Sequence, residues 1–467
     1  MKIKRIGLLL IFLFMFTIFS GTIFSLIAHG EELPEVFVGI DIGYGDVEEA
    51  KARIDQVSAY TNLVVIGSAA VSWDPSKLNS TFQYAYDKGL YFMSLSPLFR
   101  RINRTAWFEY ANSTWGNHLL GFYTYDEPAG RQLDLNESRF GDSTPSTPVE
   151  AASLFVSNLS SQLNTARSRF SFNWTNYQLF TSDYALYWFD YKAGYDAIFA
   201  EFGWNYSRQL NAALSRGAAT VQNKDWGAII LWTYTTPPYI ESGSELYKDL
   251  VLAYDNGAKY ILIFDSNEDH TEGILKEEHL QALQRFWQYT RTNPRRNNAI
   301  SDRVAYVLPN GFGYGFRGPN DKIWGLWQAD ALAQNISVSL GRLLEEYGTK
   351  LDIIYDDGLQ PGNNYGYGKL IPWYSYNPLP SPSPPSESTS SSSVTSESTQ
   401  LSPLPDSSDP PSASLNIPMD YVYAGTAGIC LLILALAVAT LYVMRGYAKE
   451  KSVCFVKRVV FLKLAKT

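Results

Sequence analysis

Leu119-Leu120-Gly121-Phe122-Tyr123-Thr124-Tyr125-Asp126-Glu127-Pro128 is an apolar, β-prone run that stops at two acids and a proline. Its first half has the composition of a strand covered on both faces, as in a parallel sheet, where apolar residues run on without alternation. Proline cannot donate to a ladder, so the strand ends before residue 128 and the acids fall at its C-terminal end.

Similar runs occur on both sides of it. Val36–Ile42, Leu63–Ala70 and Leu90–Ser96 precede it, and Tyr177–Phe189, Ala197–Phe202, Trp226–Tyr234 and Tyr260–Phe264 follow. Between them lie amphipathic stretches, among them Asp46–Tyr60, Thr105–Asn117, Pro148–Arg167, Ser207–Val221, Gly243–Asn256 and Leu275–Thr292. Alternating strands and helices predict a parallel sheet layered with helices. Eight such units between residues 36 and 298 match a (β/α)8 (TIM) barrel, which takes about 250 residues. A doubly wound open sheet would carry fewer strands and a phosphate loop. The chain has no G-x-x-x-x-G-K-[ST], and residues 36–298 hold no G-x-G-x-x-G.

Barrel chemistry sits at the C-terminal ends of the strands. Strand one ends at Asp41, strand four at Asp126 and Glu127, and strand six at Glu201, close to Trp204. The fifth run carries Asp183, the seventh ends in Trp232-Thr233-Tyr234, and Asp265 follows the eighth. Acids and aromatics are therefore expected at one rim.

With this rim in view, the chain resembles the (β/α)8 glycoside hydrolases. Its strand-four ending Asp126-Glu127-Pro128 is similar to the Asn/Asp-Glu-Pro ending of many of them, and the resemblance spans roughly residues 36–295. It implies that Glu127 is the general acid/base. It also implies a second carboxylate, because breaking a glycosidic bond needs a proton donor and an ionised carboxylate. In the largest clan of such enzymes that second acid ends strand seven. Here strand seven runs into Thr235-Thr236-Pro237-Pro238 with no acid before Glu241. The candidates are Glu201, Glu241 and Asp265, and Glu201 is preferred for its place at a strand end among apolar neighbours. Asp41, Asp126, Asp183 and Asp265 are expected to hydrogen-bond a sugar, and Tyr125, Trp204, Trp232 and Tyr234 to stack on its rings. A non-catalytic barrel that binds glycan or builds the envelope is the alternative, since fold alone does not fix function.

Residues 299–376 predict a small appended α/β unit, with strands at Arg303–Leu308 and Leu351–Tyr355 and a helix at Ala329–Tyr347. The Gly- and aromatic-rich loop Asn310–Trp327 fits a rigid cover for a cleft. Residues 377–420 are Ser/Thr/Pro-rich and read as an extended stalk. An uncharged apolar run within 421–444 reads as a transmembrane helix, and 445–467 form a basic tail with seven Lys/Arg against Glu450. That charge bias places the tail in the cytoplasm and the barrel outside the cell membrane. Residues 1–30 read as a signal peptide or an N-terminal anchor. Eight N-x-S/T sequons lie in the expected ectodomain.

The formal net charge is −8. With the basic tail set apart the remainder is more acidic still, which argues against nucleic-acid binding. The expected partners are a carbohydrate and, through the C-terminal helix, the lipid bilayer. The two cysteines lie at 430 and 454, so the ectodomain has no disulfide. Four histidines without H-x-x-x-H spacing point to no metal, and no cofactor is expected. Asp265-Ser266-Asn267-Glu268-Asp269 lacks the glycine and the final glutamate of a calcium loop.

Overall fold

The computed structural model describes residues 33–95, 104–135, 139–141, 143–168, 177–295, 299–357 and 364–375. The leader, the stalk, the expected membrane helix and the tail lie outside the described residues. Among the described residues, no helix is long and apolar enough to cross a membrane.

Eight parallel strands close into a barrel: β1 (Phe37–Ile42), β2 (Leu63–Ile66), β3 (Tyr91–Leu95), β4 (Leu119–Tyr123), β5 (Gln178–Asp183), β6 (Ala197–Phe202), β7 (Asp225–Ile230) and β8 (Tyr260–Asp265). Strand β8 returns to β1, with Phe37 opposite Tyr260 and Ile42 opposite Asp265. Around the barrel run α1 (Val47–Val57), α2 (Ala69–Ser72), α3 (Pro75–Asp87), α4 (Arg104–Trp115), α5 (Pro128–Asp134), α6 (Pro148–Ser168), α7 (Tyr187–Ala193), α8 (Arg208–Gln222), α9 (Gly243–Asp255) and α10 (Glu277–Thr292). Their starts follow local chemistry. Asp46 and Glu49 form a capping box at α1, and Asp74 caps α3 ahead of a proline at its first position. Ser207 and Ser242 cap α8 and α9. Each satisfies N–H groups that a helix start leaves open.

Three expected strands shorten. The run Tyr177–Phe189 is a strand only to Asp183, and its Tyr187–Phe189 portion belongs to α7. Strand β2 ends at Ile66 rather than Ala70, and β7 ends at Ile230 rather than Tyr234.

Alternate residues of each strand fill the barrel. Phe37, Leu63, Val65, Tyr91, Met93, Phe180, Phe199, Ile229, Tyr260 and Leu262 form this inner cluster. Its lower part is aromatic: Phe37 stacks on Tyr260 at 5.2 Å, and Tyr91 and Phe180 meet those two rings edge-on. Each such buried ring contributes about 2–3 kcal/mol through the water it no longer orders. The opposite residues, such as Ile40, Val64, Ile198 and Ile263, pack outward against the helices.

The appended unit is a three-stranded parallel sheet of β9 (Val304–Leu308), β10 (Leu351–Tyr355) and β11 (Lys369–Pro372), ordered β10-β9-β11, with helix α11 (Ala331–Tyr347). Barrel and appended unit form one compact body. They meet where α8 lies on β10. The Arg216 guanidinium donates to Asp352 Oδ1 at 2.6 Å and to the carbonyls of Thr349 and Leu351. At Gly217 a Cβ would come within 2.3 Å of the Ile353 carbonyl oxygen, so the close approach requires glycine. One G-x-G-x-x-G string does occur here, Gly313–Gly318, but it neither directly follows a strand nor opens a helix, as a dinucleotide site requires.

Candidate active site

Strand parity decides which rim residues face the barrel mouth. Continuing the inner positions toward the C-terminal ends leads to Asp41 on β1, Ser182 on β5, Glu201 on β6, Leu231 after β7 and Phe264 on β8, and a register shift between Leu119 and Gly121 brings Tyr123 of β4 to the same face. Two of these are acids. Asp126 and Glu127 join them from the turn after β4.

Glu201 is 1% exposed, and its Oε1 is 2.7 Å from Ser182 Oγ. The Ser182 hydroxyl is 2.9 Å from the Tyr123 hydroxyl, which in turn bonds Asp126 Oδ1. This chain has three oxygen–oxygen contacts and only two hydroxyl hydrogens. One of its terminal carboxyls must therefore carry a proton. The Glu127 carboxyl stands near enough to Glu201 for each to act on the other's ionisation at the mouth. Burial first, and then the Glu127 charge, push Glu201 well above the usual carboxylate range. Burial, with the charges of Asp126 and Asp183, pushes Glu127 up to about 8. Two such acids away from water do not both ionise, and the pair keeps a proton at neutral pH.

Asp41 is pushed up to about 7 by burial and then by the charges of Asp126 and Asp265. It faces the same mouth as the glutamates. Asp183 and Asp265 have the opposite parity and point into the helix layer. Asp265 is fully buried, 2.8 Å from the Arg53 guanidinium, and accepts the N–H groups of Ile274 and Leu275. Asp183 accepts the N–H groups of Ala129 and Gly130 at the start of α5. Glu241 is tied to Arg208 beside Asp249, and its backbone carbonyl bonds His279.

The aromatic residues stand around the mouth. Trp204 and Trp232 lie 6.4 Å apart at 86°, and the Trp232 indole N–H donates to the Ser266 carbonyl at 2.8 Å. Tyr239 packs on Trp232 at 5.5 Å. Tyr125 and Tyr234 are exposed, and Arg139 stands over the Tyr125 ring. Five rim residues were not singled out from sequence: Tyr123, Ser182, Tyr184, Tyr206 and Arg317. The Tyr184 and Tyr206 rings stack at 5.6 Å, and the Arg317 guanidinium lies over Tyr184 while pairing with Asp134 and Asp321. Arg317 comes from the loop expected to cover a cleft. That loop is instead packed down, with Trp324 buried against Phe140, Phe155 and Phe189. Strand parity gives away Ser182 once the end of β5 is known; the register shift in β4 hides Tyr123, and no local motif marks the other three. Among the described residues no group of three or more His, Cys, Asp or Glu is arranged to hold a metal ion.

No protein-family model and no curated protein matches the chain. Among solved structures it is similar to a β-galactosidase from the Antarctic haloarchaeon Halorubrum lacusprofundi, with 11% identity over 72% of this chain and 69% of that one and a TM-score of 0.45. It is also similar to an endo-β-1,4-mannanase from Thermotoga petrophila (8% identity, 59% and 82% coverage, TM-score 0.36) and to a GH30 endoxylanase from Clostridium papyrosolvens (13%, 56% and 74%, 0.32). These are likenesses of fold. The chain is a closed barrel of eight parallel strands.

Proposed function

We propose that the chain is a membrane-anchored, cell-surface glycoside hydrolase that cleaves an extracellular glycan with Glu127 and Glu201. The hydrogen-bond chain from Glu201 through Ser182 and Tyr123 to Asp126, which joins Glu201 to the turn bearing Glu127 at the end of the barrel where such chemistry is done, carries the reading. The aromatic surfaces of Trp204, Trp232 and Tyr125 supply flat faces for sugar rings.

Glu127, in the turn at the edge of the mouth, gives its proton to the glycosidic oxygen as the bond from that oxygen to the anomeric carbon breaks. Glu201, which is the carboxylate when the pair's one proton sits on Glu127, accepts from Ser182, attacks the anomeric carbon and forms a glycosyl ester. Water then attacks the ester, Glu127 takes up its proton, and Glu201 leaves as the carboxylate. Retaining enzymes hold their carboxyls about 5–5.5 Å apart and inverting ones about 6.5–9.5 Å. Forming the glycosyl ester and displacing it by water each invert the anomeric carbon, so this mechanism gives retention of configuration.

The test is hydrolysis of a panel of polysaccharides and aryl glycosides by the full-length chain, alongside Glu127→Gln and Glu201→Gln. Loss of activity in both variants, with the first-formed anomer retained by NMR, supports the reading. Glycan binding without turnover in all three proteins would favour a binding module. The proposed topology predicts that a membrane-impermeant label on intact cells modifies the barrel and spares the basic tail.

A further inference from the structure

We propose that Asp183 is a positioning residue that holds Glu127 in its reactive orientation, an inference that rests on the glycosidase reading above. Glu127 is the residue before α5 and has φ 43 and ψ 52, a left-handed conformation that a non-glycine residue does not adopt unaided. Something must hold it there, and the bonds come from the next strand. The Asp183 Oδ2 accepts the Ala129 N–H at 2.8 Å, and its Oδ1 accepts the Gly130 N–H at 3.0 Å. These are the second and third residues of the helix that Glu127 begins. The same carboxylate accepts the N–H groups of Tyr184 and Ala185, which fixes its own orientation. On the other side of Glu127, the Thr181 hydroxyl donates to the Tyr125 carbonyl at 2.5 Å, and the Tyr195 hydroxyl to the Thr124 carbonyl at 2.7 Å. The turn bearing the acid is thus gripped before and after Glu127 by residues of the β5–α7 unit and the strand start that follows it.

Asp183 can do this only as an acceptor at both oxygens. Asp190 of α7 is fully buried beside it, and burial, then the Asp183 charge, pushes Asp190 well above the usual carboxylate range. Burial pushes Asp183 itself up to about 7, and the N–H groups of Ala129, Ala185 and Tyr184 that it accepts work in the other direction, favouring its carboxylate form. An asparagine at 183 would turn an NH2 group toward one of the N–H groups it must accept. Asp183→Asn therefore releases the first turn of α5 while adding almost no volume.

The experiment uses the full-length chain and a series of aryl glycosides whose phenols differ in acidity. A phenol that leaves unaided, such as dinitrophenol, needs no proton from Glu127, whereas a poor leaving group does. Misplacing a catalytic group by about 1 Å costs on the order of 100-fold. Asp183→Asn is expected to lose kcat/KM, which reads the first step alone, by about that factor on poor leaving groups and far less on the dinitrophenyl glycoside. Glu127→Gln should show the same dependence on leaving group. A merely structural role would lower activity equally across the series. Where Asp183→Asn fails to fold, Thr181→Val, which deletes one hydroxyl, is expected to show a smaller loss with the same dependence.

A flat loss or no loss in Asp183→Asn (in Thr181→Val, where Asp183→Asn does not fold), beside a leaving-group-dependent Glu127→Gln, overturns this inference alone. An inert wild-type chain, or a flat profile for Glu127→Gln, overturns the assignment of Glu127 as the acid and this inference with it.

Discussion

Replacing Asp41 by Asn should stabilise the fold in a pH-dependent way. Asp41 faces the barrel mouth, and its pKa rises from 3.8 to about 7 through burial and the charges of Asp126 and Asp265. The unfolded chain gives up this proton near pH 4, and the folded chain keeps it to about pH 7. Between those values the folded state binds more protons, so stability falls as pH rises. Each pKa unit corresponds to 1.36 kcal/mol, so full ionisation of Asp41 in the fold costs on the order of 4 kcal/mol. Asp41 keeps some contact with solvent, which screens the charge, and a gain of about 2 kcal/mol for Asp41→Asn at pH 8 is the expectation. At pH 4 the folded acid is neutral and the unfolded one about half ionised, so the variant should gain only about half a kcal/mol there. Urea unfolding of the full-length chain at both pH values, followed by tryptophan fluorescence, reads the difference. An equal shift at both pH values, or destabilisation at pH 8, would refute the argument that this acid is held at the mouth against its own ionisation.

Glu201→Gln should behave alike, gaining more stability at pH 8 than at pH 5 while losing hydrolysis, because the amide oxygen can still accept from Ser182 and carries no charge. Paired unfolding and activity measurements check it. Asp352→Ala leaves the Arg216 guanidinium buried without its carboxylate and should cost about 3–5 kcal/mol, visible in thermal unfolding as separate loss of the appended unit. Trp232→Ala removes a rim ring and should raise KM roughly fivefold, about 1 kcal/mol of stacking, with kcat little changed.

The barrel was legible because its strands are covered on both faces and its helices are not. The misread stretch is instructive. Tyr184-Ala185-Leu186-Tyr187-Trp188-Phe189 is wholly buried, and an unbroken apolar run has no period by which to tell a strand from a buried helix. That error had a consequence at the site. Side-chain direction in a strand depends on register, and a shift of one residue moves every side chain to the other face. Without the end of β5, Asp183 could not be separated from the residues of the mouth. Helix α5 was hidden by Gly130, a poor helix former, which is there because the Tyr184 ring would lie 2.3 Å from a Cβ. Glu127 and Glu201 could be chosen from their places at strand ends. The left-handed backbone at Glu127, which aims its side chain, could not, since no local pattern announces it.

The energetic character of the rim bears on whether the barrel works or merely fills space. Left-handed non-glycine residues follow each strand from β4 to β8: Tyr125 and Glu127, Leu186, Trp204, Tyr239 and His270. Each such conformation costs about 1–3 kcal/mol. On the same side stand Asp41, Glu127 and Glu201, each with its proton affinity raised chiefly by burial. Strain and buried charge both work against folding, and neither helps a scaffold whose task is only to be stable. The aromatic interior of Phe37, Tyr91, Phe180 and Tyr260 supplies packing energy that offsets them, and it lies toward the other end of the barrel. A chain that concentrates destabilising features at one end and stabilising ones at the other has separated a working surface from its support. An inert envelope barrel gives no reason for that division, whereas a carboxylate pair that must hold and release a proton does.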